Sequence, residues 1–336
     1  MTRKALRGAA PARVIGRRGL LAASAAAVAA PALGQPGAAW PAASVRFIGI
    51  FPPGGGTDIL SRIWCAKMGE ITGHSFVVEN RSGSGGNVGT EAIARSPADG
   101  TTIGLASVAP LAISPTLYAR LPFDVNKDLA YICGLWQLPN MLVVNNDVPA
   151  RTVPELIELC RRNPGRYSFA SSGSGTTVHL SGEMFKQLAG IDILHVPYRG
   201  GAPANVDLLA GRVHMMFDNI PQALAHHRDG KMRALAVTGA ERSPQAPEIP
   251  TMAEFLPGFE ITSWGGVCGP AGIPPAIVAR IAELGRQAME SPDVRRRFEE
   301  NGAAVWWTTP EGLADFRRDN EARFAPLIRA SGARVE

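Results

Sequence analysis

The chain is poor in cysteine and, beyond its first 34 residues, has neither a long apolar run nor a charge imbalance. Only four of its 336 residues are cysteine: Cys65, Cys133, Cys160 and Cys268. They lie far apart and form no CxxC pair, which excludes a disulfide framework and argues against a zinc site. Each sits among apolar neighbours and reads as a small buried thiol, with a disulfide between two of them left open. The six histidines show no metal-ligand spacing, so no metal or other cofactor is expected. His226 and His227 stand together in a polar stretch and read as exposed, while His179 and His195 read as hydrogen-bonded structural residues rather than bases. The glycine loops lack the GxSxG nucleophile elbow, a Walker lysine and a complete GxGxxG pattern, which leaves catalysis as a remote alternative.

What is present is the composition of a folded protein: 46% hydrophobic and 19% charged residues, with 37 glycines and 27 prolines. The length suggests two domains, each with its own core. The formal charge of +5 is misleading, because residues 1–34 hold six basic residues and no acid. Without them, 28 basic residues face 29 acidic ones, and no nucleic-acid partner is expected.

Residues 1–34 have the layout of a secretory signal: a basic start, an apolar run from Leu20 to Leu33, and small residues at Ala32 and Gly34 before Gln35. The apolar run is 14 residues long, short of the roughly 20 that cross a bilayer as a helix. Arg17 and Arg18 before Gly19, Leu20 and Leu21 suggest the twin-arginine route, although Gly16 and Ala22 depart from its usual pattern. A protein exported to the periplasm and soluble after cleavage near Gln35 is expected.

Downstream, one unit recurs. A short β-forming run from Val45 to Ile50 ends at a glycine loop. A helical spacing follows at Ile59, Leu60, Ile63, Trp64 and Met68, read as starting from a cap at Thr57 or Asp58. Residues 75–79, 81–87 and 88–94 repeat strand, loop and helix, and 167–170, 171–177 and 178–188 do so again. Further strands are expected at 101–106, 141–144, 195–198, 213–217 and 233–237, and the last 65 or so residues are mostly helical. This alternation argues for an α/β fold with parallel sheets. The extended segments near 140 and 262 are candidate crossings between two halves, with a cleft between them.

A set of ordered motifs spans the mature chain: FPPGGGTD (51–58), VENR (78–81), GGNVG (85–89), PADGTT (97–102), SSGSGTTVHL (171–180), HVPYRG (195–200), RALAVT (233–238) and IPTMAEF (249–255). Together they resemble the substrate receptors of tripartite tricarboxylate transporters, the Bug or TctC family. The resemblance implies a two-lobed periplasmic binding protein of type II topology, a Venus flytrap in which each lobe is a mainly parallel sheet flanked by helices. The lobes would be 44–140 with 263–336, and 141–262. It further implies a monomer that captures a small organic acid for membrane transporter subunits. An exported sensor signalling to a membrane partner would use the same cleft and stays open.

The chemistry of the loops fits such a ligand. Free N–H groups at a helix start carry partial positive charge, so a glycine loop entering a helix can bind a carboxylate without a lysine. The candidate ligand-binding residues are Phe51, Gly54, Gly55 and Gly56 in the first loop, and Ser172, Ser174, Gly175, Thr176 and Thr177 in the other half. Ser107, at a strand end where ligands of open α/β sheets gather, joins them. Asp58 is either a cap or a ligand contact. Asp218 ends a buried strand, where a carboxylate needs a donor partner or a place in the cleft.

Overall fold

The structure, a computed structural model, describes residues 40–335. The expected signal segment lies outside the described residues. Strand β1 (Val45–Gly49) is buried at every position but Arg46, as a strand covered on both faces must be. Helix α1 (Gly56–Thr72) follows, burying Leu60, Ile63, Trp64 and Met68 at the spacing of one helical face, and it ends at the left-handed Gly73. Its start differs from the expected cap at Thr57 or Asp58. The N-cap is Gly55, with no side-chain bond, and Asp58 lies inside the first turn. Next come β2 (Phe76–Asn80), α2 (Asn87–Ala94) and β3 (Thr102–Ser107), both strands parallel to β1. A wide helical turn over Ala109–Ile113 leads into the short α3 (Ser114–Leu117).

Strand β4 (Leu129–Asn145) runs far beyond the expected 141–144. After it the grammar repeats with α4 (Val153–Arg162), β5 (Ser168–Ser171), α5 (Thr177–Ala189), β6 (Leu194–Pro197), α6 (Gly201–Leu209), β7 (Met215–Asn219), α7 (Ile220–Arg228) and β8 (Met232–Val237). The long strand β9 (Thr262–Pro270) then returns, followed by α8 (Pro275–Glu290), α9 (Pro292–Glu300), the two-residue β10 (Ala304–Val305) and α10 (Pro310–Ser331). His226 and His227 ride on α7 and are half-buried rather than exposed. All four cysteines are buried and free.

Two sheets of one topology result. The first has the order β2-β1-β3-β9-β4 and the second β6-β5-β7-β4-β8. In each, a long strand from elsewhere in the chain inserts antiparallel beside the third strand: β9 next to β3, and β4 next to β7. Strand β4 belongs to both. Its first part pairs with β9 from Leu129 to Pro139 and its last part with β7 and β8. Register shifts at Tyr131/Cys133 and Gly134/Trp136 bend it on the way.

Each sheet has its own core. Phe47, Trp64, Ile103, Trp136, Trp264 and Phe298 pack in the first, along with the C-terminal helices. In the second, period-two alternation divides one strand between two layers: Leu142 and Val144 face Phe169, Met215 and Phe217, while Met141 and Val143 face Met216 and α7. Truncating a wholly buried ring such as Phe169 or Phe217 to alanine costs about 3–5 kcal/mol. This rigid packing holds the C-terminal ends of β1, β3, β5 and β7, where the site lies.

Candidate functional site

The ends of these parallel strands face one another across the gap between the two sheets, and a helix or helical turn starts just beyond each. The cavity there is lined by Gly55, Gly56 and Thr57 at the start of α1, by Ser107–Ala109, by Thr176–Val178 at the start of α5, by Gly201 at the start of α6, and by Asp218 and Asn219 ahead of α7. Among the described residues, the N–H groups of Gly56, Thr57, Thr177 and Val178 make no hydrogen bond within the chain. These are the orphan donors of two helix starts, one from each half, pointing positive dipole ends at a shared space.

The side chains add mostly neutral groups. Ser107, Ser263 and Thr177 are buried on the cavity wall, and none makes a side-chain hydrogen bond within the described residues. Buried hydroxyls normally find a partner, and a ligand in this space would supply one. Among the described residues no lysine, arginine or histidine lines the cavity. Among the described residues Asp218 is its one ionisable side chain, 1% exposed, with Oδ2 accepting from Asn205 Nδ2 at 2.7 Å. Burial pushes its carboxyl up to about 6, against the lowering effect of bonds from Asn205 and the Asn219 N–H.

Of the residues read from sequence, Phe51, Gly55, Gly56, Ser107, Ser172, Thr176, Thr177 and Asp218 line this cavity. Gly54, Asp58, Ser174 and Gly175 do not. Asp58 is instead the clasp of the first loop: Oδ2 accepts from the Gly54 N–H at 3.0 Å and from Arg62 Nε at 2.9 Å, and Oδ1 from Asn80 Nδ2 at 2.8 Å. Burial raises its carboxyl, but the bonds from Arg62, Asn80 and Gly54 outweigh burial and hold it below the ordinary carboxylate value. The Gly54 amide is thereby consumed, and the free amides begin at Gly55.

In the second loop the Gly175 N–H donates to His179 Nδ1 at 3.2 Å, and Thr176 caps α5 by accepting from the His179 N–H. Thr176 therefore reaches the cavity wall with its hydroxyl already engaged. Ser174 faces a neighbouring hollow with Gly83–Gly86, Tyr198 and Arg199. Beneath this loop His179 stacks on His195 at 4.2 Å and His195 on Phe169 at 4.8 Å. Burial pushes His179 down to about 4 and His195 down to about 3, so both are neutral; His179 accepts from the Gly175 N–H, and His195 Nε2 lies 2.7 Å from Ser171 Oγ.

Thr57, Val178, Gly201, Asn219, Gln222 and Ser263, with Pro52, Val108 and Ala109, complete the wall without having been singled out as ligand residues from the sequence. Thr57 and Val178 were within reach of that reasoning, since each follows a glycine loop at a helix start. Ser263 had no local signal, because it sits on β9 and reaches the cavity only through the fold. The two halves touch around the cavity. A Cβ on Gly85 would fall 2.6 Å from the Ser174 carbonyl oxygen, and one on Gly200 2.5 Å from Pro52. The Tyr118 hydroxyl reaches the Ser174 carbonyl at 3.5 Å. The cleft is closed.

Two lobes of matched topology, sharing a strand and closed over a cavity of unpaired donors, define a two-lobed solute-binding protein of type II topology. Residues 60–333 match the family model described as the tripartite tricarboxylate transporter family receptor. The chain belongs to that family, the Bug or TctC receptors. It is 36% identical to protein BugT of Bordetella pertussis over 299 residues, which is 88% of this chain and 92% of the relative. The solved structure of Rpa4515 from R. palustris with adipate superposes with a TM-score of 0.86 at 34% identity, covering 88% of this chain and all of that one. MatC from Rhodopseudomonas palustris with bound malate gives 0.81 at 28%, covering 86% and 100%. The family is one of substrate receptors rather than enzymes, and this chain is a binding protein too. Among the described residues no helix is long and apolar enough to cross a membrane.

Proposed function

We propose that this chain is an exported periplasmic receptor that captures a small carboxylate, an aliphatic dicarboxylate being the leading candidate, and presents it as a monomer to the membrane subunits of a tripartite tricarboxylate transporter. The observation that carries this reading is the pair of helix starts, α1 and α5, whose free N–H groups face one closed cavity without a cationic side chain among the described residues. Such a site favours an anion small enough to be enclosed and strips it of water without needing a buried lysine or arginine. Relatives bound to adipate and malate support the same ligand class.

In this reading residues 44–140 with 263–336 swing against 141–262, flexing near 140 and 262, and the first 34 residues direct export. Phe51, Ser172 and the amides of 55–57 and 177–178 form the carboxylate cradle. A thermal-shift screen of mono-, di- and tricarboxylates with acidic amino acids tests it. A ligand at 100 times its dissociation constant adds about 2.7 kcal/mol of stability. Stabilisation by one or more carboxylates is expected, and no response across the panel would contradict the reading.

A further inference from the structure

Asp218 is an odd group to find in a cavity built for an anion, and its surroundings define its job. Oδ2 is committed as an acceptor to Asn205 Nδ2 at 2.7 Å. Oδ1 has no side-chain partner among the described residues and lies on the side of Gly201, where a Cβ would sit 3.2 Å from it. The absent side chain at Gly201 leaves that oxygen its approach to the cavity. Every element packed around the carboxyl presents a neutral group: Asn205 and Gly201 from α6, Asn219 and Gln222 from α7, Ser172 after β5, Met141 and Asn140 from β4. Gln222 Oε1 itself faces Asn205 as an acceptor at 3.4 Å. No cation among the described residues reaches the carboxyl to hold it ionised beside a bound anion.

Resting on the carboxylate reading above, we propose that Asp218 binds the ligand as a carboxylic acid, donating its Oδ1 proton to a ligand carboxylate, so that capture takes up one proton from solvent. The balance is simple. The ionised Asp218 of the free protein gains a proton from buffer, no other bond is made or broken, and the ligand remains an anion. A carboxyl pushed up to about 6 by burial stands close to this change already, and an incoming negative charge drives it further in the same direction. The consequence is selectivity. A ligand carboxylate accepts this proton at no cost to its own charge, whereas a neutral isostere such as an ester or amide gives a poorer acceptor.

The test is isothermal titration of the mature protein with adipate at pH 7.5 in buffers of different ionisation enthalpy, with malate as a second probe. The observed heat is expected to vary with buffer with a slope near one proton taken up, and affinity is expected to fall about tenfold per unit of pH above neutrality. Asp218→Asn reproduces the required polarity without a proton, its carbonyl facing Asn205 and its amide the ligand. At pH 8, about two units above the wild-type carboxyl's value of about 6, it is expected to bind adipate about a hundredfold more tightly than the wild type, with heat independent of buffer. Binding with buffer-independent heat in the wild type, or weaker binding by Asp218→Asn at pH 8, overturns this inference and leaves the carboxylate reading standing. If neither probe nor any member of the carboxylate panel binds, both fall together.

Discussion

The two loops that enclose the cavity do one task with different supports. In the first lobe the Phe51–Asp58 loop is clasped by charge: Asp58 holds the Gly54 amide, Arg62 and Asn80, and the helix behind it has no side-chain cap. In the second, the Ser171–His179 loop is held by neutral acceptors, a capping threonine and two stacked imidazoles that stay unprotonated. Both arrangements leave free amides at the next helix start, so topology sets the site and the scaffolding behind it is interchangeable. The difference lies in what disturbs each loop. The first depends on an ion pair, and the second on the neutrality of its histidines.

The largest effect is expected where the lobes meet. A Cβ on Gly56 would lie 3.2 Å from the Asn219 side chain and 3.3 Å from Pro221, whereas one on Gly55 has only the Pro52 carbonyl oxygen at 3.7 Å. Gly56→Val should weaken ligand binding about a hundredfold by propping the lobes apart, while Gly55→Ala stays within a few-fold of the wild type. Titration of both variants, with circular dichroism as the folding check, decides it. Equal affinities would show that closure does not use this contact.

Next in size is Asp58→Ala. It strands the half-exposed Arg62, frees the Gly54 amide and removes a partner of Asn80, and should cost about 2 kcal/mol in urea unfolding. Because Asp58 lies outside the cavity, ligand ranking should be unchanged even where affinity falls. A reordered ranking would return Asp58 to the ligand's surface.

Acid should act on the other lobe. His179 and His195 titrate lower in the folded chain than their ordinary 6.5, so as pH falls below that value the unfolded chain takes up protons first and stability is lost. Asp218 works in reverse. Raised from 3.8 to about 6, it is protonated first in the folded chain, so its contribution grows as pH falls through 6 and is lost as pH rises. Between pH 6 and 4.5 the two histidines outweigh it by roughly one proton, a net loss of about 1.4 kcal/mol per pH unit from these three groups. Asp218→Asn should steepen the loss toward about 2.7 kcal/mol per unit. A flat profile in urea unfolding would mean that the histidines are not buried as neutral groups.

The smallest of these effects, about 1 kcal/mol, is expected for Thr176→Ala, which removes the cap of α5 and its bond to the Gly173 carbonyl. Position 55 at the start of α1 already has no side-chain cap to lose.

The strand-loop-helix units were legible because each is a local pattern: an apolar run, glycines, then a helical spacing. The length of β4 was not, since Gly134, Gln137 and Pro139 interrupt its pattern and it stays extended through its pairing with β9, more than a hundred residues away in sequence. Helix α7 was hidden for a related reason. Its buried face is only Ile220, Pro221, Ala223 and Leu224, and two adjacent histidines made the rest read as an exposed polar stretch. Around the cavity, the glycine loops marked the right strand ends, but which amide is free depends on distant partners. The Asn80 arm of the Asp58 clasp comes from 22 residues away, and Ser263 arrives on a strand from the far side of the chain.

In the proposed site a carboxylate is held by helix-start amides rather than by a cation. A crystal structure of the mature protein with the tightest ligand from the screen tests that most directly. It should show carboxylate oxygens about 2.7–3.1 Å from the amide nitrogens of Gly56 or Thr57 and of Thr177 or Val178, with the lobes closed. A ligand seated against arginine, lysine or histidine, or bound away from these two helix starts, would contradict it.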